Sequence, residues 1–402
     1  MSAQRLVNKI LDPVRDLRDY LELPAAAKSE QRKDRAGLPE RDPGVDLAIE
    51  RGISWLCRAQ DRSTSQDGGV ARHFSLKTGW SSSYPETTGY IVPTFLAFAG
   101  DRDDSEVRLR AMRMLDWLAS IQFPEGGFQG GLIDSEPVVP VTFNTGQILL
   151  GLAAGATEDG GRYLGPMSKA ADWLVATQDP DGCWRSQPTP FAKPGEKAYE
   201  THVAWGLFEA ARVEPDRGYA EAAMKNIDWA LTHRQKNGWF ANCCLGDPLR
   251  PLTHTLGYVL RGFIEAYRFS QRPDLLQASL ETADALLGAM DPKTGFIPGR
   301  LDQDWSGSVT WACLTGTVQI AICWMMLYRF TGLEKYRDAA FVANRYVRRS
   351  MSVDGPDDVR GGIKGSFPVN GDYGTFEYLN WACKFFVDSN MMEKEIRESE
   401  SR

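Results

Sequence analysis

The chain has too little positive charge for a nucleic-acid binder. Its 46 lysines and arginines are outnumbered by 53 aspartates and glutamates, for a formal net charge of −7, and no basic stripe is present to meet a phosphate backbone. It also lacks any run of about eighteen apolar residues, the length a membrane-spanning helix needs. Met1 to Leu23 alternates charged with apolar residues where a secretory signal would carry an apolar core, so the expected location is the cytoplasm. The seven cysteines are odd in number and follow no disulfide-framework spacing. Cys243 and Cys244 are adjacent, and Cys313, Cys323 and Cys383 sit in helical patterns. Free, mostly buried thiols are expected. No stretch is rich in strand signals.

What the chain does have is a spaced tryptophan. Trp117, Trp173 and Trp229 recur every 56 residues, each near the end of an amphipathic helical pattern and each followed by a glycine-bearing turn. The first of these reads Trp117-Leu118, Gln122, Gly126-Gly127-Phe128; the next reads Trp173-Leu174, Gln178, Gly182-Cys183-Trp184; the third reads Trp229-Ala230, Gln235, Gly238-Trp239. Trp55 with Gln60 and Gly68-Gly69 extends the repeat upstream. Leu286 with Gly295 and Tyr346 with Gly361-Gly362 extend it downstream, giving six copies. Before each turn, apolar residues such as Val107, Ala111, Met114 and Leu118 fall at helical spacing among charges, as in an outer helix with one wet face. After it comes a segment apolar nearly all round, such as Thr145 to Ala154, as in a buried inner helix. Six outer-inner pairs predict an all-α closed double ring over residues 46–392, a single large domain. The proline-punctuated, charged residues 1–45 are expected to form an arm across the ring, and 393–402 a charged, solvated tail.

In such a ring the inner-helix N-termini converge on one mouth, where orphan N–H groups favour anionic or hydroxyl-rich ligands. Those starts are polar in every copy: Tyr84-Pro85-Glu86 with Tyr90; Phe143-Asn144; Tyr199-Glu200-Thr201-His202; Thr253-His254 with Tyr258; Trp311 with Thr315; and Glu377 with Asn380-Trp381. Capping explains Ser, Thr, Asp or Asn at such positions but not recurrent Glu, His and Tyr. The first turn adds Arg72, His73, Lys77 and Trp80. Together these residues describe a ligand-binding mouth.

The string Gly68-Gly69-Val70-Ala71-Arg72-His73, then Gly79-Trp80 and Ser83-Tyr84-Pro85-Glu86-Thr87-Thr88-Gly89-Tyr90-Ile91-Val92-Pro93-Thr94, resembles bacterial exopolysaccharide-biosynthesis proteins described as VpsJ-like. These look like members of the (α/α)6 toroid group, which includes glycoside hydrolases, polysaccharide lyases and sugar epimerases. The resemblance is strongest over residues 55–100. It implies an (α/α)6 toroid acting on an oligosaccharide, a polysaccharide or a lipid-linked glycan, and carries no catalytic assignment.

Chemistry supplies the roles. Hydrolysis needs two carboxylates across the scissile bond, for which Glu86, Glu200 and Glu377 are available. Elimination or epimerisation of a uronate needs a base, which His202, His254, Tyr84 or Tyr90 could provide, with Asn144 or Arg72 neutralising an enolate. Trp80, Trp311 and Trp381 offer faces for sugar rings; His73, Tyr258 and Asn380 complete the expected substrate-binding set. No metal and no cofactor is required. Two other readings compete. Gln178-Asp179-Pro180-Asp181-Gly182-Cys183-Trp184 matches the turn repeated in triterpene cyclases, and Asp101-Arg102-Asp103-Asp104 matches their acid motif, although it falls at the far end of an inner helix. Asp181 and Cys183, with His202 or His254, could mimic a prenyltransferase zinc site. The third reading is a non-catalytic glycan-binding scaffold.

Overall fold

In the computed structural model, residues 20–401 are described. Helix α1 (Ala25–Arg35) precedes twelve helices that alternate between two rings. The outer ring is α2 (Val45–Asp61), α4 (Ser105–Ile121), α6 (Leu164–Thr177), α8 (Tyr219–Leu231), α10 (Pro273–Ala289) and α12 (Glu334–Ser350). The inner ring is α3 (Pro85–Arg102), α5 (Thr142–Asp159), α7 (Thr201–Val213), α9 (Thr253–Ser270), α11 (Leu314–Thr331) and α13 (Asn380–Glu400). Each inner helix packs on the next, and α13 returns to α3. The chain is therefore an (α/α)6 toroid.

The hairpins are phased differently from the sequence repeat. Each outer helix packs most heavily on the inner helix before it, across a short turn, whereas the conspicuous glycine turns open long loops that lead to the next inner helix. The sixth hairpin is made from the two ends of the ring, with α2 packed on α13. Helix α13 runs past residue 392 without a break. Glu393 is buried there and accepts from Arg348 Nη1 at 2.7 Å and Asn344 Nδ2 at 2.9 Å, and Ile396 is buried too, so the segment expected as a tail continues the helix and is anchored at these two residues, while Glu395 and residues 397–400 are exposed.

The repeat has a physical cause. Gln60, Gln122 and Gln178 each donate to the carbonyl of their own turn glycine, Gly68, Gly126 and Gly182, at 2.9, 2.9 and 3.1 Å. The same amides also reach Arg110, Pro166 and Ala222 on the following outer helix. The turn glycines press on that helix as well. Gly126 has φ +109°, and a Cβ there would stand 2.1 Å from Lys169 O; Gly361, at φ +87°, meets Arg51 O equally closely and so joins the last unit to the first. Only glycine serves at such contacts. The repeated Gln and Gly are thus the stitches between neighbouring units. Neighbouring inner helices approach by a related device, since a Cβ on Gly89 of α3 would lie 2.4 Å from Ile148 Cα of α5.

Short strands gather at the mouth. β1 (His73–Ser75) pairs with β2 (Gly79–Trp80) and with β5 (Glu377–Leu379), and β3 (Ala312–Cys313) pairs with β4 (Ser366–Phe367). The β1–β5 register sets His73 opposite Leu379 and Ser75 opposite Glu377, binding the first loop to the last. Of the arm expected over 1–45, residues 1–19 lie outside the described residues. Its described part straps this last loop: Lys364, buried, donates to Asp34 at 2.5 Å and Glu30 at 2.9 Å, and Asp34 also accepts from Val369 N at 2.7 Å. All seven cysteines are free, and all but Cys57 are buried. Among the described residues no helix is long and apolar enough to cross a membrane.

Candidate active site

The mouth holds a cavity of about 430 Å³, within the range of small-molecule sites. Of the predicted residues, Arg72, His73, Tyr84, Glu86, Tyr90, Asn144, His254, Tyr258 and Trp381 line it. Glu86 is the second residue of α3 and is buried. Its Oε2 accepts from Tyr84 Oη at 2.8 Å and from Asn144 Nδ2 at 3.0 Å. Burial pushes its carboxyl up to about 7, against the opposing pull of the Tyr84 hydroxyl and the nearby Arg72 guanidinium. At neutral pH it is therefore close to half protonated and can both give and take a proton.

His254 lies on the cavity wall with Nδ1 2.8 Å from Gln319 Oε1. An amide oxygen only accepts, so Nδ1 carries the proton and Nε2 is left as an acceptor. Burial lowers this imidazole to about 4, partly countered by the Gln319 hydrogen bond, which keeps the ring neutral. Tyr258 packs between His254 and His202, at centroid distances of 4.4 and 4.3 Å, and its phenol interacts electrostatically with that of Tyr90. Desolvation holds both phenols well above their usual range, so they serve as neutral donors.

A second cluster spans the β1–β5 seam. Arg72 Nη1 donates to His73 Nδ1 at 2.7 Å and to Glu377 Oε2 at 3.1 Å, while His73 Nε2 sits 3.8 Å from Glu377 Oε1. Because Nδ1 accepts, Nε2 bears the proton and faces the carboxylate. Burial lowers His73 to about 4 despite that carboxylate, and Arg72 adds to the effect. The guanidinium also lies 5.0 Å over the Trp381 ring, and Trp381 Nε1 donates to Tyr373 Oη at 2.8 Å.

Six expected residues stand outside the lining, each for a stated reason. Glu200 ends a 3-10 turn, Ala198–Glu200, which turns its carboxyl away from the cavity and within electrostatic reach of Lys197 and Arg185; burial pushes it to about 8, and Oε2 has no hydrogen-bond partner. The same turn brings Tyr199 to the cavity instead. His202 is buried behind Tyr258, its Nδ1 2.6 Å from Gln147 Oε1. Trp80 packs on Trp55 and Phe74 and donates to Asp358. Trp311 precedes β3, not a helix start, and its ring covers Gly299 and Gly371. Glu377 lies in β5 and touches the site through Arg72 and His73. Asn380 donates to Ala71 O and Thr87 Oγ1 at 2.9 and 2.7 Å, which ties α13 to the first unit.

Sequence reasoning missed Tyr373, Phe191 and Leu245, which line the cavity from long loops without periodic signal. The competing motifs fall elsewhere. Asp104 caps α4 by accepting from Val107 N at 3.0 Å, and Asp103 makes the turn before it, so the acidic tetrad sits at the C-terminal end of α3, opposite the mouth. Asp181 pairs with Arg185 at 2.8 Å, and no cluster of three or more metal-ligating side chains occurs among the described residues.

Neither a family model nor a curated protein matches the sequence, so the likeness to exopolysaccharide-biosynthesis proteins rests on the residues quoted for it. Solved structures do match. An unsaturated glucuronyl hydrolase specific for heparin superposes with a TM-score of 0.68 at 16% identity, covering 88% of this chain and 99% of that one. A D-mannose isomerase gives 0.68 at 12%, covering 89% and 99%. Cellobiose 2-epimerase from Bacillus thermoamylovorans B4167 gives 0.67 at 11%, covering 86% and 98%. At these identities the similarity is one of fold: the chain shares the complete (α/α)6 toroid of these sugar-processing proteins.

Proposed function

We propose that this chain is a carbohydrate-active enzyme that binds a short acidic sugar in the central cavity and acts on it by acid/base catalysis through Glu86. The observation that carries this reading is the Glu86 carboxyl, poised at about 7 inside a cavity and held by Tyr84 and Asn144. Among the described residues it is the only carboxylate lining that cavity. Two-carboxylate hydrolysis with Glu200 therefore has no geometric support, because Glu200 faces another way. Glu86 and His254 instead offer one group that can give a proton and one that can take it, the pairing needed to move a proton at a sugar carbon in epimerisation, isomerisation or elimination. Among the described residues Arg72 has hydrogen-bond partners only at Nη1. Its remaining N–H groups can hold a substrate carboxylate or an enolate oxygen. The solved toroids that act as an isomerase, an epimerase and a glucuronyl hydrolase support the sugar reading.

A second reading, hydrolysis of an unsaturated uronide with Glu86 as sole proton donor, is favoured by the same Arg72. Work in the cytoplasm on a polysaccharide precursor fits the resemblance noted in the sequence. The test compares wild type with Glu86→Gln on aldoses, uronates and unsaturated uronides in D2O. Deuterium at a sugar carbon without new reducing ends, lost in the variant, supports proton transfer; new reducing ends, which an unsaturated uronide releases together with deuterium at C4 as its enol ketonises, support hydrolysis; binding without turnover in wild type overturns the enzyme reading in favour of a scaffold.

A further inference from the structure

The cavity does not end at its own rim. A second groove, lined by Pro190, Phe191, Lys193, Leu245, Asp247 and Arg300 among others, shares Phe191, Ala192 and Leu245 with the cavity as a common wall. The two loops that form the wall are joined by Lys193 N donating to Leu245 O at 3.2 Å. Phe191 is 57% exposed and Leu245 38%, an unusual outlay of apolar surface on a loop, and one end of the Phe191 ring rests against Gly131 at the cavity lip.

The charges beside this wall are unequal. Lys193 makes no ion pair among the described residues. Arg300 spends Nη1 on Arg250 O at 2.9 Å, which fixes its direction without neutralising it, and reaches the exposed Asp372 only at 3.7 Å. Asp247, the acid in the groove, is already paired with Arg250 at 3.0 Å. Two cations with unspent donors thus flank an exposed aromatic face at the exit of a sugar-sized cavity. An aromatic face takes the apolar side of a pyranose ring, and paired cations take its acidic substituent.

We propose that this groove is an outer saccharide subsite: the unit next to the one in the cavity lies on Phe191, with an anionic substituent, carboxylate or sulfate, between Lys193 and Arg300. This rests on the saccharide reading of the cavity and adds to it that the substrate is an acidic oligosaccharide of at least two units, not a free monosaccharide.

The test measures binding by titration calorimetry to the full chain carrying Glu86→Gln, to prevent turnover. The probes are glucuronic acid, cellobiose, an aldobiouronic acid and a monosulfated disaccharide. At least one anionic disaccharide should bind roughly tenfold tighter than glucuronic acid, and whichever of the two does so identifies the anion. Lys193→Ser with Arg300→Gln should abolish that advantage and leave glucuronic acid affinity unchanged. Phe191→Ala should weaken cellobiose as well as the anionic disaccharides. Glucuronic acid binding with no gain from a second unit overturns the subsite alone, as does an advantage that survives the double substitution. Binding of none of the probes overturns the saccharide cavity and the subsite together.

Discussion

Replacing Glu86 with glutamine tests the buried carboxyl without knowledge of the substrate. The side-chain amide keeps an oxygen to accept from Tyr84 and Asn144 and loses only the ability to ionise. In the fold the carboxyl titrates at about 7, against 4.5 for an unburied glutamate. A raised pKa means that the folded state binds the proton more tightly. The stabilisation is complete below pH 4.5, drains away as pH rises to 7, and is absent above that. A gap of about 2.5 units at ~1.4 kcal/mol each is roughly 3.5 kcal/mol. With an unfolding entropy of ~2.1 cal/mol/K per residue, this corresponds to about 4 °C in Tm for a chain of this length. Scanning calorimetry at half-unit steps from pH 4.5 to 8.5 should show the Tm of the variant gaining about 4 °C on wild type between pH 4.5 and 7, then running parallel to it. A difference that does not change with pH, or one that falls across that window, would refute the buried, partly protonated carboxyl.

Tyr84→Phe removes a donor worth about 1.5–3 kcal/mol to a charged partner and should move the Glu86 titration, and the corresponding limb of the kcat/KM profile, upward by about 1–2 units; an unmoved limb would deny Tyr84 its role. Lys364→Met leaves Glu30 and Asp34 facing each other without their cation and should cost about 3–5 kcal/mol in urea denaturation, while lowering turnover through the loop that carries Tyr373. Gly126→Ala places a Cβ against Lys169 O at a positive φ and should cost about 3 kcal/mol or more; the same change at Gly100, where a Cβ meets nothing within 4 Å, is the control and should stay within about 1 kcal/mol.

The architecture was legible because its signals are local and repeated. Trp117, Trp173 and Trp229 mark outer helices; the Gln of the first three turns and the Gly of every turn recur because they stitch a unit to the next outer helix. The phase of the hairpins was not legible. A period cannot say whether an outer helix packs on the inner helix before it or after it, and only the short connections, such as Asp103-Asp104 between α3 and α4, decide that. Nor could the period say that α2 would complete its hairpin with α13 at the opposite end of the chain.

The site shows where register stops predicting direction. Glu86, Asn144 and His254 occupy the second or third position of α3, α5 and α9 and reach the cavity as expected. Glu200 looks equivalent in sequence, but one 3-10 turn before α7 rotates it out and puts Tyr199 in its place. His202 keeps the second position and still misses the cavity, because Tyr258 from α9 stands in front of it. Helix period fixes azimuth only while the helix is regular from its first residue. A residue on an irregular turn, or behind a bulky neighbour from another unit, has its direction set by contacts far apart in sequence. The same reasoning covers Tyr373, Phe191 and Leu245: loops carry them to the cavity, and the partners that hold those loops, such as Asp34 for Val369 and Leu245 for Lys193, come from other segments of the chain. The walls of the cavity are therefore set by tertiary contacts, and the placement of Glu86, Asn144 and His254 by helix register.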